Sequence, residues 1–457
     1  MEVIIPMTKG KKITDMTVGS PLRIILAFAL PIFIGNIFQQ FYSIIDTVIA
    51  GHFLGDDAIA AIGATSAIYS LIINMANGMN NGYSIIVARA FGEKDAEKLK
   101  KTFAMMIILN LLAGFILTLL SVIFIMPILE LLSTPKEIIM DSYRFIIVIL
   151  AGMIITILYN MFAGVLRAIG NSRTPLYFLI LSCVVNIGLD VLFIVGLGTG
   201  VAGAAFATIL SQTLSVILCL ILVIRNYPEL HLSKHHFRFD KRLFSDMFTT
   251  GLSMGFMYSI FAIGSVVLQG AINDLGKTII TGHTGARRIV ELCMQPLSTL
   301  AAANATFVSQ NYGARKYDRI KEGIKKTCIC GFLWSTIATI LIYILARPLV
   351  HAITGSMNSI VVDNAVMNLK INLPLFYPLG ILLVLRTSLQ GIGRKIAPLI
   401  SSSIELIMKC LATWFLVERF GYVGVSIAEP STWLVCMLFL LGAYRKAMKS
   451  LNYESFK

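Results

Sequence analysis

Long uncharged apolar stretches recur along this chain, and they decide its solvent before any other feature does. The segments 24–45, 104–126, 145–166 and 247–273 contain no Lys, Arg, Asp or Glu. As helix, about 20 apolar residues cross a hydrocarbon core of about 30 Å. A fifth stretch, 191–224, is too long for one crossing, and Gly196, Gly198, Gly200 and Gly203 divide it near its start. With 57% hydrophobic and 14% charged residues and a mean hydropathy of +0.81, the chain lies outside the usage of soluble domains. The pattern predicts twelve spans, near 22–46, 57–86, 102–126, 142–167, 174–196, 201–225, 243–270, 278–307, 326–346, 362–389, 396–418 and 422–444. The expected fold class is thus an all-α membrane protein.

The net charge of +14 could suggest a nucleic-acid partner, but the positive residues follow the loops instead of forming a patch. Segments 1–23, 89–101, 167–173, 225–242, 315–326, 386–395 and 445–457 hold 29 of the 38 Lys and Arg, and the alternate loops hold only Lys136, Lys277, Arg347 and Arg419. The positive-inside rule then places both termini in the cytoplasm and the chain in the inner or plasma membrane. All seven cysteines fall in or beside spans, so no outward disulfide is expected, and Cys328-x-Cys330 without a second pair or a nearby His reads as helix packing. The first span lacks a signal-peptidase site and stays in the mature protein.

The two halves repeat. Val87-x-x-x-Phe91-Gly92-x-Lys94 returns as Val308-x-x-x-Tyr312-Gly313-x-Arg315 at an offset of 221, and Leu166-x-x-Ile169-Gly170 to Pro175 returns as Leu389-x-x-Ile392-Gly393 to Pro398 at 223. Gly203 and Gly424 correspond at 221. An even number of spans per repeat gives both halves one orientation, related by an axis along the membrane normal, with the cleft between them as the expected transport path. The organisation expected is a cytoplasmic lead 1–20, a six-helix lobe 21–226, a cytoplasmic linker 227–242, a second six-helix lobe 243–446 and a cytoplasmic tail 447–457. His231, His235 and His236 in the linker suit a basic connector better than zinc.

An acid within a span costs on the order of 3 kcal/mol, so each is a functional candidate. Asp46 ends a polar stripe on the first span, Asn36, Gln39, Gln40, Ser43, Asp46 and Thr47, that shares one helical face. Span five carries Ser182, Asn186 and Asp190 one turn apart, and span six carries Thr208, Ser211, Gln212 and Ser215. Two carboxylates with amide and hydroxyl oxygens are hard ligands for sodium, and two close carboxylates can equally share a proton. The alternative is structural, with Asp46 capping the outer end of its span and Asp190 pairing with a base. Gln39, Gln40, Ser43, Ser182 and Gln212 are the further candidates for a polar cavity lining.

Pro31 followed by Asp46 in the first span, Asn186-x-x-x-Asp190 in the fifth and the V-x-x-x-F/Y-G signature after the second all match one pattern. The sequence resembles the multidrug and toxic compound extrusion (MATE) family across essentially its full length. The resemblance implies two pseudo-symmetric six-helix lobes in a V around a central cavity, and exchange of cationic or drug-like substrates for sodium or protons by alternating access. It also implies that Asp46, Asn186, Asp190 and Thr208 form the amino-terminal cation site. Some members carry coupling acids in spans seven and ten. Here span seven has no acid after Asp246 and span ten has only Asp363 at its edge, so a cation site of that type is not expected.

Overlaying the repeats places Lys409 on Asn186 and Glu429 on Thr208. Lys409 is expected to bridge to Glu429 or to Glu405, giving the second lobe a fixed ion pair where the first holds an exchangeable ion. A second protonation or substrate-recognition site at Glu405 and Glu429 is the alternative. Arg287, Arg288 and Glu291 can neutralise one another within one helix. Asn74, Asn77, Asn80 and Asn81, interleaved with Gly78 and Gly82, either line the path or hold helices together. Pro31 should bend span one and is a hinge candidate.

The expected function is secondary antiport: a cation neutralises Asp46 and Asp190, the lobes rearrange, and an organic small molecule leaves the cell. One inward charge is worth about 2.3 kcal/mol per 100 mV, enough for roughly a fiftyfold gradient. No cofactor beyond the coupling ion, no metal beyond sodium at Asp46 and Asp190, no ATPase subunit and no nucleic acid are expected, and the chain is expected to act as a monomer. The rival reading is a flippase for lipid-linked sugars or lipid precursors of related two-lobed fold. A membrane enzyme would need a catalytic cluster such as H-E-x-x-H, and a channel would need a continuous polar pore.

Overall fold

The computed structural model describes residues 13–132 and 134–455; the side chains of Thr47, Asp56 and 452–455, and the outermost parts of the lead and tail expected above, lie outside them. Helices α1 (Pro21–Leu54), α2 (Asp56–Gly92) and α3 (Ala96–Leu131) come first, then α4 (Ile139–Ala151) and α5 (Met153–Ala168). Next are α6 (Arg173–Asp190), α7 (Val201–Asn226), α8 (Lys241–Asn273), α9 (Lys277–Gly313) and α10 (Tyr317–Thr354). The chain ends with α11 (Ser359–Asn372), α12 (Phe376–Gly391), α13 (Ile396–Ala412), the short α14 (Glu418–Phe420) and α15 (Tyr422–Ser455). Among the described residues there is no strand.

Among the described residues, ten helical segments are long and apolar enough to cross a membrane, and the pair α4 and α5, bent by 46° at Gly152, brings the number to 11. The remaining predicted span corresponds to α9, which is less apolar than the others, carrying Arg287, Arg288 and Glu291 and, beyond them, Gln295 and Asn304. Span ten is likewise interrupted, by a 3-10 turn at Leu373–Leu375 where Pro374 removes a backbone donor. Two π-helical stretches, Val191–Gly196 after α6 and Thr413–Val417 after α13, occupy matching places in the repeat.

Two compact units divide the chain, Met1–Asp15 with Leu30–Gly255 and Met16–Ala29 with Phe256–Lys457. Each unit packs in the same way: α2 touches α3, α4 and α5 while α9 touches α10, α11 and α12, and α7 packs on α6 as α15 packs on α13. Backbone geometry carries the same repeat. Lys94 and Arg315, at one offset in the two signatures, are the described non-glycine residues with positive φ, 58° and 56°. Gly170 and Gly393 likewise adopt φ of 90° and 83°.

Within the first unit, α2 and α8 approach backbone to backbone. A Cβ on Gly78 would lie 2.5 Å from the Met254 carbonyl oxygen, and one on Gly82 would lie 2.7 Å from the Gly251 Cα. In lipid, where apolar burial drives little helix association, such small-residue contacts let dispersion act at short range. Asn160 donates to Asn77 at 3.0 Å and Asn80 is buried, so of the two roles open to the asparagine-glycine face, helix packing is the one these contacts serve. In the second unit the lead segment is docked: the Met16 N–H donates to Gln310 at 3.1 Å, and Asn311 and Arg319 both donate to the Met16 carbonyl, each at 3.1 Å.

Candidate functional site

Three helices of the first unit bring their polar residues together as their spacing predicts. Helix α1 runs on two turns past Asp46 to Leu54, so Asp46, which is partly exposed, is no terminal cap. On α6, one turn separates Ser182 from Asn186 and Asn186 from Asp190, and all three are buried, Asn186 and Asp190 to 0% exposure. Helix α7 contributes Thr208, whose hydroxyl donates to the Ala204 carbonyl at 3.1 Å and so keeps its lone pairs turned toward the site.

The Asp46 and Asp190 side chains are within hydrogen-bonding reach of each other. Asn186 fits with its amide oxygen accepting from the Thr208 N–H at 3.0 Å, and its nitrogen then donates to Asp190 Oδ2 at 2.9 Å and to the Tyr42 hydroxyl at 3.2 Å. Tyr42 also meets the Thr208 hydroxyl at 3.3 Å. After these bonds are made, Asp46 Oδ1 and Asp190 Oδ1 are both buried without a partner. No described Lys or Arg pairs with either acid. Two carboxyls facing one another in an apolar surround, each with an unused oxygen, require a compensating positive charge or a shared proton. The donor set is all oxygen, which suits sodium as well as a proton.

Tyr42 was not among the sequence candidates, although it stands one turn before Asp46 and so on the same face. Gln39, Gln40 and Ser43 are exposed, and Gln212 is engaged by the Thr156 hydroxyl at 2.6 Å.

In the second unit Lys409, only 1% exposed, donates to Glu429 at 2.8 Å and lies 5.2 Å from the Phe261 ring centroid. Glu405 does not share Lys409. It pairs with Arg386 at 2.8 Å, and Arg386 also donates to the Ser401 hydroxyl at 3.1 Å. The charge count had assigned Arg386 to a cytoplasmic loop, but it is buried within α12, because a guanidinium can enter a helical interior when a carboxylate meets it there. Glu291 stays outside this network, accepting from Arg287 at 3.0 Å on its own helix. His283 is buried on α9 and meets the Tyr422 hydroxyl at 3.2 Å.

Glu97 meets two linker histidines, its Oε2 lying 3.4 Å from His235 Nε2 and 3.2 Å from His236 Nε2. The Ser233 N–H donates to His236 Nδ1 at 2.9 Å. That leaves the neutral ring's proton on Nε2, facing Glu97, so the cluster reads as a hydrogen-bonded dock for the linker and not as ligands for a metal.

Known proteins resemble the chain along most of its length. The MatE family model matches residues 31–192 and 247–415, once in each half. The "Probable multidrug resistance protein YoeA" of Bacillus subtilis is 23% identical over 432 residues, covering 92% of this chain and 93% of its own. An "FAD transporter" of Shewanella oneidensis is 24% identical over 416 residues, covering 90% and 91%. A crystal structure of a MATE protein in a bent conformation superposes with a TM-score of 0.90 at 23% identity, covering 97% of this chain and 98% of that one.

Proposed function

We propose, from the premise that this chain belongs to the MATE family of multidrug efflux transporters, that it is an antiporter driven by a cation that binds between Asp46 and Asp190. The observation that carries the reading is the pair of neighbouring carboxyls with two unpartnered buried oxygens and, among the described residues, no Lys or Arg paired with either. With both acids ionised, the site carries uncompensated charge in a medium where that is costly. Sodium or a proton entering there removes the penalty, so ion occupancy and the packing of α1 against α6 and α7 are thermodynamically linked.

Asn186 and Tyr42 are positioning residues. By tying Asp190, Thr208 and each other together they hold the ligand oxygens in place, and a site prearranged in this way binds without first ordering its donors. Pro31 removes the N–H that would bond the Ala27 carbonyl, making the start of α1 the softest part of that helix and the expected hinge. The cargo is an organic small molecule, cationic or drug-like. The protein lies in the cytoplasmic membrane with both termini inside, acts as a monomer and uses no cofactor beyond the coupling ion.

The test is efflux of a fluorescent cationic dye, wild type against Asp46→Asn, with sodium and proton gradients imposed separately. Efflux driven by one gradient and lost in the folded variant identifies the ion and the site. Unchanged transport in Asp46→Asn would remove this site from the mechanism, and no dye transport under either gradient would favour the lipid-flippase alternative.

A further inference from the structure

We propose that Lys409 is a built-in cation: its ammonium takes, in the second unit, the place that the exchangeable cation takes in the first, and the oxygens around it accept sodium or a proton once that ammonium is gone. The comparison rests on the reading above for the first unit, but the second-unit geometry stands by itself.

The two places correspond element by element. Lys409 follows Asn186 by 223 residues on the matching helix, and Glu429 follows Thr208 by 221 on the helix packed against it. Both α6 and α13 lead directly into a π-helical stretch. At the last turn before or at the start of that stretch the first unit has Asp190 and the second has Thr413, again 223 apart. Asp190 Oδ1 and Thr413 Oγ1 are both buried and unpartnered. The second unit therefore keeps oxygens at the counterparts of Thr208 and Asp190, has no acid on α8 matching Asp46, and supplies its own positive charge, at 2.8 Å from Glu429.

That charge is dedicated. Glu405, the other buried acid nearby, already has Arg386 at 2.8 Å, and Arg287, the other base on the Glu429 side, is held by Glu291 at 3.0 Å. His283 lies on the same helix as Arg287, and its Nδ1 is engaged by Tyr422. The stem of Lys409 passes Gly264, where even a Cβ would stand 3.3 Å from its Cδ, and a small cavity bounded by Phe261, Gly264, Ser402 and Glu405 adjoins it. Replacing the stem by the shorter Asn leaves space beside Glu429, Thr413 and a new amide oxygen, which together form a hard donor set.

The experiment counts cations bound by the purified full chain, using radioactive sodium at neutral pH and, in parallel, proton uptake read by an indicator dye in weak buffer. It is done in the Asp46→Asn background to silence the first unit. Adding Lys409→Asn is expected to gain one sodium ion or one proton per chain, while Lys409→Met with Glu429→Gln gains neither. A folded Lys409→Asn protein that gains neither would overturn the proposal. So would a Lys409→Asn protein that cannot be purified folded at high sodium or low pH when the charge-free double variant can, because an external ion would then be unable to replace the ammonium. Failure of the antiport reading is a separate result, seen as equal cation binding by wild type and Asp46→Asn alone.

Discussion

The Arg386–Glu405 pair shows what a charge inside this chain requires. Both residues are under a tenth exposed, and desolvating either alone is expensive. Glu405→Ala, which strands the guanidinium, should cost about 3–5 kcal/mol of stability and lower the thermal midpoint in detergent. Arg386→Met with Glu405→Leu should recover most of that loss, since an apolar pair of similar volume replaces a charged one. The acids of the first unit could be read from the sequence because Asn186 and Asp190 sit one turn apart and Asp46 ends a polar face. Arg386 could not be read from charge counting, which rewards any base near a loop. The repeat held the missing signal: 223 residues earlier stands Ala163, 5% exposed, a position inside the fold. For Tyr42 the signal was its place one turn before Asp46, where an aromatic ring reads as apolar packing although it carries a hydroxyl.

At the scale of elements, the close approach of α2 and α8 makes a sharp prediction. Gly82→Val should reduce the yield of monodisperse protein, because its Cβ would press on the Gly251 backbone at 2.7 Å, and overpacking costs typically 1–3 kcal/mol, ~3 or more where backbone must move. Gly188→Ala, which meets nothing within 4 Å, should leave yield and thermal midpoint unchanged. Span existence was legible from apolar length, since each run must satisfy its backbone internally once in lipid. The bend at Gly152 was not, because it arises where the glycine meets Ile209 of another helix: a Cβ there would come within 2.4 Å of the Ile209 side chain. The π-helical stretches were equally silent. They begin inside apolar sequence, Val191–Gly196 and Thr413–Val417, whose composition matches the helix before them. Conversely, α9 is the most polar of the spans expected from the apolar pattern, at 278–307, and its end carries the same V-x-x-x-F/Y-G signature as α2.

For the whole molecule, the charge distribution predicts which loops face the cytoplasm. In a background without the native cysteines, Lys136→Cys should react with an impermeant maleimide added to intact cells, and Lys234→Cys should react only after the membrane is opened. Labelling of Lys234→Cys from outside would invert the orientation. The repeat in sequence counts residues by helix, whereas packing divides α1 between Ala29 and Leu30 and α8 between Gly255 and Phe256. Each of these helices therefore belongs in part to both compact units, a partition that no hydropathy profile contains because it depends on which residues touch.

That partition bears on how the protein is made. Met16–Ala29 are synthesised well before Gln310, Asn311 and Arg319, which belong to the unit they complete and hold Met16 there. During translation this segment must wait for its partners, held by the translocation machinery or exposed at the membrane surface. A nascent chain arrested after Gly255 should for that reason leave residues 16–29 open to protease, and release of the finished chain should close them.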